Sequence, residues 1–469
     1  MGPTNKTPRP GHTLMTPQGP DSAPEIHSPP GALERCLAST STAMRRVLER
    51  ALTDHEVSIE DALILDQARG LDLHALWLVA DEMRSRQVGE QVTYVVNRNI
   101  NFTNVCVKSC HFCAFSRGHR GEESYFLELP EILHRAREAW EFGATEVCLQ
   151  AGLAPRIAGD DYAHLLRSIK AEVPRLHLHA YSPEEIHFGR QRAGRSVTDY
   201  LRELKDAGLG SMPGTSAEIL DDDLRERISP GRITTAEWTE VITSAHELGI
   251  PTSSTMMFGH VETPIQRMRH MAYLRGIQKA TGGFTEFVPL SFVHQDAPLF
   301  VKSKIPGVRP GPDGDEVMRL YAIARLMLGP TFRNIQVSWV KEGARFAQWI
   351  LHGGANDLGG TLINESISTA AGSPHGERMT PAALRALTRG AGRLPAERST
   401  TYKIFREFGR DPATDGIDPL DSIDGAEERF GSYRALTQNP QHQYRGAPSP
   451  PVTSEALPSA PSRAGTDRR

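Results

Sequence analysis

The chain has 469 residues, with 57 acidic and 53 basic side chains giving a formal net charge of −4 at pH 7. That balance leaves no broad basic field, so nucleic-acid binding finds no support. No apolar run reaches the roughly 18 residues of a membrane span, and five cysteines in a chain this long do not make a disulfide scaffold.

Residues 1–30 hold eight prolines and little that is apolar. They cannot bury enough surface to offset ordering entropy and are expected to be a disordered tail. They also lack the apolar core of a secretory signal, so a cytoplasmic location is expected. Residues 31–90 read as a helical N-terminal extension. Ser58 stands as an N-cap before Asp61, and Leu73, Leu76, Leu78, Val79 and Met83 mark an apolar helix face.

From Val92 onward, short apolar runs alternate with amphipathic helices. Strands are expected over 93–102, 146–149, 176–181, 209–213, 252–258, 284–292 and 335–339. Helices are expected over 131–142, 162–173, 183–207, 235–248, 264–279, 315–328 and 342–351. Such alternation argues for a parallel sheet with helical crossovers. No G-x-G-x-x-G follows the first strand, which disfavours a dinucleotide-binding sheet. The fold class is therefore α/β, a TIM-like (β/α)8 barrel over residues 91–360 with its active site at the C-terminal strand ends. Residues 361–435 are expected to form a C-terminal helical extension, and 436–469 a second disordered tail rich in proline.

Just past the first strand stand Cys106, Cys110 and Cys113, at C-x3-C-x2-C. Three thiolates on one short loop can hold three irons of a [4Fe–4S] cube and leave the fourth open to a substrate or cofactor. A structural zinc site with His111 as fourth ligand is the rival reading, but His111 is wedged between two ligand cysteines, whereas structural zinc uses separated ligand pairs. Three cysteines cannot all pair as disulfides. Cys36 and Cys148 stand apart as core thiols.

Polar groups recur at the other strand ends. Gln150-Ala151-Gly152 follows the second strand, where small residues permit close backbone approach or simply make a turn. Tyr181-Ser182-Pro183-Glu184-Glu185 ends the third and also reads as a helix cap with acid in the first turn. Glu218 follows the fourth, with capping again the alternative. His260 and Glu262 lie past the fifth strand, and His294 and Gln295 past the sixth; a histidine there can exchange a proton near neutral pH.

The cysteine spacing, with an aromatic before the last Cys, resembles the radical S-adenosylmethionine (SAM) superfamily. Several strings narrow this: Thr93 to Asn104, the Phe112-Cys113-Ala114-Phe115 ending, Ala180-Tyr181-Ser182-Pro183-Glu184-Glu185-Ile186, Phe287-Val288-Pro289-Leu290 with His294-Gln295, and Asn356-Asp357-Leu358-Gly359-Gly360-Thr361-Leu362. Over residues 33–408 the chain resembles the CofH family of FO synthase subunits. The Phe-Val-Pro-Leu stretch and the His-Gln after it favour that family over its menaquinone-pathway relatives, aminofutalosine synthase and dehypoxanthine futalosine cyclase. The resemblance implies a radical SAM barrel with one [4Fe–4S] cluster on Cys106, Cys110 and Cys113. It implies SAM beside Phe112, Gln150, Gly152, Tyr181 and Glu218. The implied reaction breaks L-tyrosine at Cα–Cβ and adds its 4-hydroxybenzyl group to 5-amino-6-(D-ribitylamino)uracil, releasing 2-iminoacetate, methionine and 5′-deoxyadenosine. An electron donor and the CofG subunit are the implied partners, on the way to coenzyme F420. Arg98 or Arg117 is the expected partner of the tyrosine carboxylate, by bidentate pairing; surface or cluster-adjacent charge is their other reading. Gln150-Ala151-Gly152 departs from the double glycine of the family's SAM-binding turn.

Overall fold

The computed structural model describes residues 31–446, apart from positions 119, 120, 122 and 304. The expected tail at 1–30, and that at 436–469 from position 447 on, lie outside the described residues. Strand β1 (Gln91–Val95) leads straight into β2 (Asn97–Ile100), and every residue from 92 to 105 is buried. Burial on both faces is what a parallel barrel wrapped in helices imposes.

Register closes the barrel. β2 pairs with β3 (Glu146–Leu149), and β3 with β4 (His177–Ala180). Single bridges, His179 to Ser211 and Met212 to Thr252, carry the ladder to β5 (Thr252–Phe258), which pairs with β6 (Phe284–Ser291). Phe287 then bridges Ile335, Gln336 bridges Asp357, and β7 (Asp357–Gly360) returns to β1. All these pairings are parallel, giving eight strand positions and the expected (β/α)8 layout. The fourth and seventh positions shrink to bridges. Pro213 offers no N–H to a ladder, and the chain turns helical at Trp339.

The pleat decides which side chains can reach the site. Arg98 points out of the barrel to Glu138 on the helix Leu129–Glu141, so Asn97 and Asn99 point in. In the same way Glu146, Cys148, His177 and His179 face the interior beside them.

The segment 361–435 is not the all-helical extension that was expected. It holds the helices Ile367–Ala370, Pro381–Gly390 and Ala426–Phe430, but also β8 (Leu394–Arg398) and β9 (Ile404–Glu407). β3 pairs with β2 but not with β1, so β1 keeps a free edge on that side. β8 fills that edge in parallel, and β9 folds back on it antiparallel. Arg398 of β8 reaches Asp357 inside the barrel, Nη2 to Oδ1 at 2.9 Å, which closes the end opposite the cysteines.

The first part of the expected C-terminal tail, residues 436–446, is structured. His442 accepts from the Phe126 N–H at 2.7 Å, Gln443 bridges Tyr125, and Tyr444 packs against the Phe126 ring. Residues 436–446 are therefore ordered, because their backbone pairs with the strap that follows the cysteine loop. At the other end the helices of 31–90 form as expected, and Ser58 accepts from the Asp61 N–H.

Candidate active site

The loop 106–113 is stitched down by backbone bonds from four directions. The Cys106 N–H donates to Arg117 O, Val107 N–H to Leu153 O, His111 N–H to Ile228 O, and Leu299 N–H to His111 O. The three thiols open on one cleft of about 1200 Å³, open mouth included, at the C-terminal ends of the strands. His111 is not among the residues lining it, and among the described residues no three His, Cys, Asp or Glu converge on a single ion. Three thiols sharing a cavity but no common point suit a cluster better than a mononuclear zinc. Burial pushes the Cys110 thiol up to about 12, against the pull of Arg232, and raises Cys113 as well. Iron would have to displace those protons, as metal binding to buried thiols does.

The neighbouring wall is polar and tightly coupled. Gln150 donates from Nε2 to Thr215 Oγ1 at 2.6 Å, while its carbonyl accepts from Asn101. Gly152 donates to Thr103 O, and a Cβ there would lie 2.3 Å from Val105 O. Glycine is thus what lets this turn press against the cysteine loop. Ala151, at the departure from the double glycine, keeps its N–H on Glu185 Oε1 at 3.0 Å. Glu185 also closes a capping box with Ser182, and burial pushes its carboxyl up to about 7.

Arg232 organises this wall, and nothing in the sequence singled it out. Its guanidinium donates to Glu218 Oε1 at 2.8 Å and to Glu184 Oε2 at 3.3 Å, and lies 5.6 Å from the centre of the Phe112 ring. Glu184 also accepts from the Ile233 N–H at 3.0 Å and pairs with Lys108 at 3.2 Å. Burial alone would raise the Glu184 carboxyl, but Arg232, the Ile233 N–H and Lys108 hold it below its ordinary value. Ser216 and Glu218 both sit at positive φ, 66° and 44°. Buried Arg225 fixes that strained turn by donating to Ser216 O and Ala217 O.

Of the residues expected to face SAM, Phe112, Gln150, Gly152 and Glu218 line the cleft, and Tyr181 does not. At φ 65° Tyr181 leaves the strand's alternation, and its buried ring packs edge-on to Tyr162 and donates to Tyr162 O. Neither arginine expected at the carboxylate reaches the cleft. Arg98 is locked outside the barrel by Glu138, at 2.7 Å, and Asn364; Arg117 pairs with Glu123 and the Ala114 carbonyl. His260 is buried against Glu262, at 3.3 Å, and burial lowers its pKa. His294 packs on Phe300, and neither it nor Gln295 lines the cavity. The wall from the later strands is mostly apolar, with Met257, Leu290, Phe292, Val293, Ile367 and Ala371, and carries one cation, Lys341.

Two family models match the chain: the radical SAM superfamily over residues 100–274 and the CofH/MqnC C-terminal region over 281–411. The 5-amino-6-(D-ribitylamino)uracil–L-tyrosine 4-hydroxyphenyl transferase of Methanothermobacter thermautotrophicus is 48% identical over 366 residues, 78% of this chain and 99% of the relative. The FO synthase of Mycobacterium tuberculosis is 48% identical over 343 residues, 73% of this chain but 40% of that longer protein. In fold, the chain is similar to the hydrogenase maturase HydG of Carboxydothermus hydrogenoformans, with TM-score 0.62 at 15% identity, covering 79% of this chain and 83% of that one. It is also similar to methylornithine synthase PylB, with TM-score 0.54 at 17% identity, covering 71% and 88%. With three thiols at the mouth of a parallel barrel and near-complete coverage of its relative, the chain belongs to the radical SAM superfamily and, within it, to the CofH family of 5-amino-6-(D-ribitylamino)uracil–L-tyrosine 4-hydroxyphenyl transferases.

Proposed function

We propose that this chain transfers the 4-hydroxybenzyl group of L-tyrosine to 5-amino-6-(D-ribitylamino)uracil, a step in FO formation. The observation that carries the reading is the 48% identity over 99% of a relative of that activity, joined to a cleft that holds all three loop thiols. A [4Fe–4S] cluster on Cys106, Cys110 and Cys113, with SAM, supplies the one-electron chemistry when bound. The chain's own residues bind, orient and keep water out.

The polar wall is the proposed SAM side. Phe112 offers a ring face, Gln150 and Gly152 a turn held against the cysteine loop, and Glu218 a carboxylate fixed by Arg232. The apolar wall is then left for the phenol ring of tyrosine. CofG is the proposed partner; the FO synthase relatives are longer than the region they share with this chain. The cytoplasm is the proposed compartment, where an oxygen-sensitive cluster survives and from which a reductant would be drawn. Among the described residues no helix is long and apolar enough to cross a membrane.

The test is anaerobic turnover of reconstituted protein with SAM, ring-labelled tyrosine and the diaminouracil, read by mass spectrometry. Label in the uracil product supports the reading. Turnover of a futalosine-type substrate with no tyrosine dependence refutes it.

A further inference from the structure

Apart from the cysteine loop, the side chains lining the cleft divide by strand position. The second to fourth positions contribute the acids and Arg232, and the fifth to eighth contribute apolar side chains with Lys341 among them. We propose that Lys341 is the positioning residue for the amino-acid substrate and binds its α-carboxylate while the ring lies on the apolar wall. This rests on the tyrosine-transfer reading above.

Lys341 stands on the helix Trp339–Glu342, directly after the seventh strand position. That helix is anchored: Trp339 is buried and donates its indole N–H to Gly360 O at 2.9 Å, and the Lys341 N–H donates to Ser338 O. The ammonium therefore projects from a fixed point. It donates to Ser368 Oγ at 3.1 Å, and among the described residues it makes no ion pair.

The three acids nearest in charge to it are already committed. Glu365 accepts the Ser368 N–H on both oxygens at 3.0 Å, Glu342 accepts from Ser291, and Glu218 holds Arg232. Lys341 is half-buried, and an ammonium so placed with no carboxylate at contact is costly; an incoming carboxylate offsets that cost. Arg232 and Lys108, the other cations of the cleft, already have carboxylates at contact. Ile367 and Ala371 flank Ser368 on the same wall, so the site joins an anion subsite to a surface for an aromatic ring. SAM carries an α-carboxylate too, and the experiment must separate the two sources.

Reconstituted wild type, Lys341→Ala, Lys341→Met and Lys341→Arg are compared for the KM of tyrosine, the KM of SAM, the Ki of tyramine (tyrosine without its carboxylate) and iron content. Loss of a charge-assisted contact should raise the tyrosine KM about 10- to 100-fold in Lys341→Ala and Lys341→Met. Tyramine inhibition and the SAM KM should stay within about twofold, and Lys341→Arg should recover part of the loss. A tyrosine KM within twofold of wild type overturns the assignment. So does equal weakening of tyrosine and tyramine, which is general damage to the wall, or a rise confined to SAM, which gives the lysine to the other carboxylate. Absence of tyrosine-dependent turnover in the wild type defeats the functional reading and this proposal together; an unmoved KM in an active variant defeats this proposal alone.

Discussion

Arg232 and Glu218 meet at 2.8 Å on the wall of the cleft, with Glu184 on the same guanidinium at 3.3 Å and the Cys110 thiol within its field. Two carboxylates from different strand ends thus share one buried cation beside the cysteine loop. Such a cluster is costly to break from one side, because Glu218 is then left buried without a counter-charge and Glu184 keeps only Lys108.

Arg232→Ala should accordingly lower stability by about 3 kcal/mol and cut turnover on the order of 100-fold. Arg232→Lys should fall between, since a point charge cannot serve two carboxylates as a planar fork does. Anaerobic melting and steady-state rates check both. Wild-type activity in Arg232→Ala would separate this cluster from SAM binding.

Gly152→Ala places a methyl 2.3 Å from the Val105 carbonyl oxygen, against the backbone of Asn104 and Val105. The turn or the cysteine loop must move, at about 1–3 kcal/mol. Iron and sulfide content should drop because Cys106 follows Val105 directly. Ala151→Gly, by contrast, should keep its full cluster. The comparison is made by metal analysis of both variants reconstituted side by side.

Arg98→Ala should leave the tyrosine KM unchanged and cost about 3–5 kcal/mol of stability. It removes the buried one of the two cations on Glu138 outside the barrel and leaves only the half-exposed Arg429, at 2.8 Å. A raised tyrosine KM with normal melting would return Arg98 to the substrate site.

How far the site could be read from sequence follows from where its partners come from. Cys106, Cys110 and Cys113 are neighbours in the chain, so their spacing alone announced them. Gln150, Gly152 and Glu218 fell at ends of legible strands. Arg232 and Lys341 carried no local signal; Glu184 and Ser368 reach them from other strand positions through barrel closure, and Glu218 reaches Arg232 across the loop and helix that follow the fourth position. Strand parity takes Arg98 away from the site: inward Asn97 and Asn99 leave the residue between them facing the helices. Tyr181 defeats parity in turn, since its positive φ breaks the alternation. β8 was missed for another reason, because it exists to fill a free edge of β1 that only the folded sheet reveals.

Glu185 sets a pH dependence. Burial is the largest influence on its carboxyl and raises it from 4.5 to about 7. The folded state then holds a proton that the unfolded chain releases, so this group's contribution falls as pH rises from about 4.5 to 7 and is flat above. The loss is about 3 kcal/mol at most. Glu185→Gln should therefore melt with a smaller decline between pH 5 and 7.5 than wild type under anaerobic conditions. Parallel curves would mean the carboxyl is ionised throughout.

Cys110→Ala against wild type tests the central claim most directly. The assay is 5′-deoxyadenosine formed anaerobically from SAM, with and without tyrosine, alongside melting of both proteins. The three-thiol cluster site predicts tyrosine-dependent 5′-deoxyadenosine from wild type, none from Cys110→Ala, and similar melting because the barrel core does not depend on the loop. Equal production by Cys110→Ala, or its global unfolding, would contradict that claim.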